Sequence, residues 1–123
     1  MKVKIDTKEV FHVITIEEKV LTAIMAAMFM DIVTQKQSDE KLSLVLNFSQ
    51  VEDIDFAFLE ALQHLQEIQA ANNKSFVVCC MGSGLQQKLG IDKAFDRFII
   101  TPTESEAWDI VQMEEIEREL GMD

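Results

Sequence analysis

Apolar positions change their spacing along this chain, and each change marks an element. In the first sixteen residues Val3 and Ile5, then Phe11, Val13 and the run at 14–16, stand among polar and charged neighbours. Alternation of period two belongs to strands with one face on a core, so two strands are predicted, joined at Asp6-Thr7-Lys8-Glu9. From residue 20 to 35 the period lengthens. Leu21, Ile24, Met25, Met28 and Ile32 make the main stripe of a first helix, and Ala26, Phe29, Met30 and Val33 widen it beyond the usual arc. Such a helix is either packed deep in a core, the plainer reading, or offers a surplus face to a partner. Met-rich surfaces adapt readily to partners.

After a polar connection at 35–41, Leu42-Ser43-Leu44-Val45-Leu46 is a short bounded apolar run, the mark of a buried strand. A turn over 47–55 opens a second helix with the stripe Phe58, Ala61, Leu62, Leu65 and Ile68, while Glu60, Gln63, His64 and Glu67 fall on the other side. Asp55 precedes that stripe, where a carboxylate accepts from orphan backbone N–H groups and favours the positive helix end. Ala71-Asn72-Asn73-Lys74 turns the chain into the nearly continuous apolar run SFVVCCM, a strand buried on both faces. Gly82-Ser83-Gly84 then enters a short helix at 85–89, with Ser83 as its cap and Gly90 as a left-handed terminator. A fifth strand is predicted at 97–100. Thr101-Pro102-Thr103-Glu104 starts the last helix, with proline in the first turn and the glutamate closing a capping box. Ala107, Trp108, Ile110 and Val111 give that helix an apolar first half. Glu114, Glu115 and Glu117 interrupt the second half, in which Ile116 and Leu120 resume the stripe, so this half is expected to project from the body.

The resulting order, β-β-α-β-α-β-α-β-α, with right-handed crossovers predicts an α/β fold: a mostly parallel sheet behind an N-terminal strand pair, with helices layered on it. A chain of 123 residues suits one such domain.

The formal net charge of −11 narrows the partners. Without a basic stripe the chain is not expected to bind nucleic acid, and the same charge repels an anionic membrane surface. The N-terminus carries charges through its alternation and lacks the apolar core of a signal peptide. Cys79 and Cys80, adjacent on a predicted strand, should point to opposite faces. They show no metal-ligand spacing. Reduced thiols and a cytoplasmic location are the expectation.

The segment LVLNFSQVEDIDFAFLEAL resembles the signature of the STAS domain, the fold of bacterial anti-sigma factor antagonists. That signature is a hydrophobic strand, then roughly D-L-S-x-V-x-x-I-D-S-S-G-L and the following helix. Leu46, Ser49, Val51, Ile54, Asp55, Leu59 and Leu62 stand where the pattern expects them. Asn47 replaces the usual Asp, and Phe56-Ala57-Phe58 replaces Ser-Ser-Gly. The resemblance implies a STAS-like domain over 1–123 acting as a non-catalytic, protein-binding regulatory module. Its implied partner is an anti-sigma factor of the serine-kinase type. In the family the serine after the aspartate is the phosphorylation switch, and here that position is Phe56, which has no hydroxyl. No phosphorylation is therefore expected within 55–59; Ser49, expected to bond its own turn, and Ser83 are the nearby hydroxyls. A second reading keeps the fold and makes the chain a structural subunit of a transport or signalling assembly, and the surplus face of the first helix, through which a homodimer is conceivable, favours it.

Catalytic chemistry finds little support. His12 lies in an alternating strand and His64 on a solvent-facing helix position, neither with an evident nucleophile or orienting acid. Glu52, Asp53 and Asp55 read as a cap and a solvated turn rather than a metal site. Gly82-Ser83-Gly84 opens a helix after a strand, but Gln87 stands where a dinucleotide fingerprint has its third glycine. Nucleotide or small-ligand binding is thus the least supported reading, and no cofactor or metal is expected. Recognition remains. Turns that follow parallel strands gather at one sheet edge, which would collect Glu17, Glu18 and Lys19, then Asp55, Phe56, Ala57, Phe58 and Leu59, then Gly82 and Ser83. Phe56 either packs under a neighbouring loop or serves as a binding anchor.

Overall fold

The computed structural model describes residues 1–90 and 98–121. In chain order the elements are β1 (Val3–Thr7), β2 (Phe11–Ile16), β3 (Val20–Leu21), α1 (Ala23–Asp39), β4 (Ser43–Asn47), β5 (Asp53–Ile54), α2 (Phe56–Ala71), β6 (Phe76–Cys79), α3 (Ser83–Leu89), β7 (Ile99–Thr101) and α4 (Glu104–Glu119). The main sheet has five strands in the order β1-β2-β4-β6-β7, antiparallel between β1 and β2 and parallel thereafter. This is the predicted α/β architecture. Arg97, read as the start of the fifth strand, lies outside the described residues.

Period-two alternation sorts the strand side chains onto two faces. Ile14, Ile16, Leu44, Leu46, Phe76 and Val78 face a core completed by Phe29 and Val33 of α1 and Phe58, Leu62 and Leu65 of α2. Phe11, Val13, Val45, Val77 and Cys79 face a second core closed by Ala107 and Val111 of α4. Every residue of β6 is buried, as its unbroken apolar run requires. His12 is also fully buried. Its Nδ1 lies 2.8 Å from Thr7 Oγ1 and its Nε2 3.0 Å from the Glu40 carbonyl, so both ring nitrogens are engaged and the residue is structural.

Several local expectations shift. α1 begins at Ala23, because Val20 and Leu21 form β3 and pair in parallel with Asp53 and Ile54 of β5. Two-residue strands are too short to show a period. The buried face of α1 is set by Phe29, whose ring packs 5.3 Å from that of Phe58, and by Val33. Ile24, placed on the main stripe, is 80% exposed, and Met28 is exposed with it. Phe29, which widens that stripe, is core, in keeping with the plainer reading for this residue. In α2 the buried set includes Leu59 and Gln69, while Ile68 reaches the surface.

The caps differ as well. Thr103, not Thr101, begins α4, accepting from the Glu106 N–H at 3.2 Å, so Pro102 precedes the cap and Glu104 is free for another bond. Gly82, not Ser83, occupies the N-cap position of α3, and no side chain caps that helix. Gly90 is right-handed at φ −63°; what a side chain would disturb there is packing, since a Cβ would stand 3.1 Å from the Gln86 carbonyl oxygen. Cys80 lies beyond the end of β6 in the left-handed region at φ 62°, so the two thiols do not alternate across a strand. For a non-glycine residue that backbone costs about 1–3 kcal/mol. Both cysteines are unbridged. Burial first, then Cys80 and Glu104, push the Cys79 thiol far above its ordinary range, which makes it inert as a nucleophile.

Candidate partner-binding site

All the parallel strands end on one edge, and the chain leaves each of them toward a helix start. The segments after β2 and β4 are knitted together there. The Lys19 carbonyl accepts from the N–H groups of Glu52 at 2.7 Å and Asp53 at 3.1 Å, and the Leu21 carbonyl accepts from the Asp55 N–H at 2.8 Å. With the β3–β5 pairing, this holds the first turns of α1 and α2 side by side.

Asp55 occupies the N-cap position of α2 through its backbone, its carbonyl accepting from the N–H groups of Phe58 and Leu59 at 3.0 and 3.1 Å. Its side chain does not cap α2 as the sequence suggested. The carboxylate instead crosses to α1, where Oδ2 accepts from the Ala23 N–H at 3.1 Å. The Thr22 hydroxyl accepts from the Met25 N–H at 3.4 Å in the same turn. One acid therefore lies at the positive ends of two helices. This cross-link was invisible in sequence because its partners are 32 residues apart.

Asn47 explains its own departure from the signature. Its Oδ1 accepts from the Ser49 N–H at 2.9 Å, which fixes the turn, and its Nδ2 donates to Glu104 Oε1 at 3.0 Å. An aspartate could do the first and not the second. Ser49 thus joins the turn through its backbone N–H, not through its hydroxyl as expected. Beside this turn Lys88 Nζ of α3 bonds Asp53 Oδ1 at 2.7 Å. That bond, helped by the Ile54 N–H, holds the Asp53 carboxyl below the usual carboxylate range.

The nominated residues divide by burial. Phe56, first residue of α2, is 63% exposed, and Ala57 is exposed beside it. Lys19, Gly82 and Ser83 are exposed and Glu18 partly so, its Oε2 accepting from the Lys2 N–H. Phe58 and Leu59 are buried in the core, so they support the surface and do not present themselves on it. Ile24 and Val20 were not nominated for this site. Both are exposed, and the Asp55–Ala23 bond brings the start of α1 that carries Ile24 to the start of α2 that carries Phe56. For Ile24 the apolar signal was present in the sequence, read there as part of the main stripe of the first helix.

Among the described residues no group of His, Cys, Asp and Glu is arranged to hold a metal ion, and no helix is long and apolar enough to cross a membrane.

No family model and no curated protein matches the chain. Solved structures do. The fold is similar to that of an anti-sigma factor antagonist from Mycobacterium paratuberculosis, with a TM-score of 0.75 and 16% identity over 90% of this chain and 93% of that one. It is similar to the anti-sigma factor antagonist SpoIIAA in its unphosphorylated form, at 0.75 and 12% over 90% and 96%. The murine Solute Carrier 26 anion transporter Slc26a9 also contains it, at 0.71 and 15% over 84% of this chain, which spans 18% of that protein. The chain has the STAS fold, shared by anti-sigma factor antagonists and transporters alike.

Proposed function

We propose that this chain is a STAS-type, non-catalytic regulatory module that binds a protein partner with the strand-end edge described above, in the manner of an anti-sigma factor antagonist. The observation that carries the reading is Phe56. A phenylalanine 63% exposed at the start of a helix, beside exposed Ile24, is an aromatic anchor with no role in the core. Ala57, Lys19, Glu18, Gly82 and Ser83, carried by segments of the same strand-end edge, would supply the mixed polar rim that protein interfaces use. The partner class is an anti-sigma factor of the serine-kinase type. At Phe56 the family's phosphoserine switch has no hydroxyl to use, so association is set by partner abundance or by a modification elsewhere.

The STAS domains of transporters favour a second reading, a structural subunit docked on a larger assembly by the same edge. The test is titration of purified chain against the kinase-type anti-sigma factors of its native host, with wild type and Phe56→Ala. Tight binding lost in Phe56→Ala at unchanged melting temperature supports the first reading. Binding to none of them, with co-purification of a transporter ATPase that Phe56→Ala abolishes, supports the second. Incubation with ATP and the bound kinase should leave the intact mass unchanged; phosphate on Ser49 or Ser83 that weakens binding would show the switch relocated.

A further inference from the structure

Toward their C-terminal ends α1 and α2 leave a groove of about 280 Å³ between them. Met30 and Val33 line it from α1, Leu65 and Ile68 from α2, each pair three residues apart, so two apolar ridges run side by side. Lys41 and Lys74, which follow the ends of α1 and α2, line it too. Neither ammonium has an acidic partner among the described residues, as is also true of Lys4, Lys19 and Lys36, none of which lines the groove. In a chain of net charge −11, an apolar trough with two unpaired cations is matched to an occupant both apolar and acidic.

The chain itself carries such an element. Met113, Ile116 and Leu120 at the end of α4 are 59%, 56% and 67% exposed and belong to neither core. Their spacing, i, i+3, i+7, is that of an amphipathic helix entering a groove. On the helical wheel Glu117 and Glu119 fall on either side of the stripe, and the C-terminal end of the helix dipole adds to their negative charge. The stripe cannot fill the groove of its own chain. α4 packs on the opposite face of the sheet from α1 and α2, and Arg118 Nη2 donates to Ser75 Oγ at 3.1 Å, which holds the tail on that side. Ser75 adjoins Lys74, however, so stripe and groove lie at the same end of the molecule.

We infer that the α1–α2 groove receives the end of α4 from a second copy of this chain, with Met113, Ile116 and Leu120 in the trough and the flanking glutamates against Lys41 and Lys74. Because both halves of the contact share one end, a two-fold pair exchanges them reciprocally and closes as a dimer. The far edge, with Phe56, stays open. The inference does not rest on the partner site, and either can fail without the other.

Sedimentation velocity of the full chain, from low micromolar to submillimolar concentration, tests it. A reversible dimer is expected. Leu120→Glu, and separately Lys41→Glu with Lys74→Glu, should each weaken it about tenfold or more. Adding Glu117→Lys and Glu119→Lys to the double lysine variant should restore it. Lys41, Glu117, Glu119 and Leu120 are exposed and Lys74 half-buried. Thermal melts should therefore match wild type for Leu120→Glu and stay close to it for the lysine variants, and a lost dimer at unchanged melting cannot be blamed on unfolding. A monomer throughout the range, a dimer indifferent to these substitutions, or a charge swap that fails to restore association would overturn the proposal. So would native mass spectrometry showing a monomer with an alkyl carboxylate bound, which would give the groove to a small amphiphile.

Discussion

The two ends of the α1–α2 layer are tied by opposite means. At the strand-end edge, beside the backbone pairing of β3 with β5, the side-chain tie is an exposed carboxylate, Asp55 on the Ala23 N–H. At the other end it is a pair of amides. Gln69, buried, donates through Nε2 to the carbonyls of Leu42 at 3.0 Å and Ser75 at 3.2 Å and accepts at Oε1 from Gln37 at 3.0 Å. Gln37 in turn binds the Leu42 carbonyl and N–H at 2.9 Å. Water competes for the first tie and much less for the second, whose Gln69 is buried, so the buried one is the dearer to break. The chain thus closes its helix layer with buried amides where strands begin, and with backbone pairing and a water-exposed carboxylate where Phe56 is exposed.

The largest expected effect removes what both ends share. Phe29→Ala takes a fully buried ring from its contact with Phe58 and should cost about 3–5 kcal/mol in urea unfolding. A loss below about 1 kcal/mol would mean that the layer repacks, and that the two ends are not coupled through this pair. Next comes Gln69→Ala, which strips donors from two buried carbonyls and should cost about 1–3 kcal/mol. Hydrogen exchange should quicken at the Leu42 N–H and stay unchanged at Ala23.

Asp55→Ala reverses that pattern. The expected loss is about 0.5–2 kcal/mol, that of a helix cap, with faster exchange at Ala23 and none at Leu42. Equal quickening at both amides would dissolve the distinction between the ends. Unchanged melting with lost partner binding would instead make Asp55 a recognition residue.

The smallest effect belongs to Lys88→Ala, since the Lys88–Asp53 pair is solvent-exposed on both sides. Here the sign is set by the depressed carboxyl: the tie contributes above the ordinary carboxylate range and is lost as pH falls through the lowered pKa of Asp53. Lys88→Ala should raise that pKa toward its usual value in an NMR titration. No change would leave the Ile54 N–H as the group that holds it.

Much of the architecture was legible because long runs carry unambiguous periods. The alternation before residue 17 gave the strand pair, and the unbroken run in β6 gave a strand covered on both faces. α1 was different. Its apolar residues nearly encircle it, so periodicity could not choose a face, and the ring of Phe58, a long way off in sequence, made the choice. The candidate site was half legible. Phe56 and Ala57 were placed on the surface edge, while Phe58 and Leu59 went with them and belong to the core.

By itself, then, the sequence determined the order of elements, the mostly parallel sheet and the turn that carries the exposed Phe56. These depend on interactions among near neighbours: side-chain period, capping chemistry and the reach of a crossover. Only the tertiary structure decided which helix Asp55 serves, that Asn47 reaches Glu104, that Ile24 joins Phe56 at the surface, and that a basic groove and an acidic helix end share one pole of the molecule. Each of these is set by groups 30 or more residues apart, whose meeting depends on how helices seat on the sheet and is written in no local pattern.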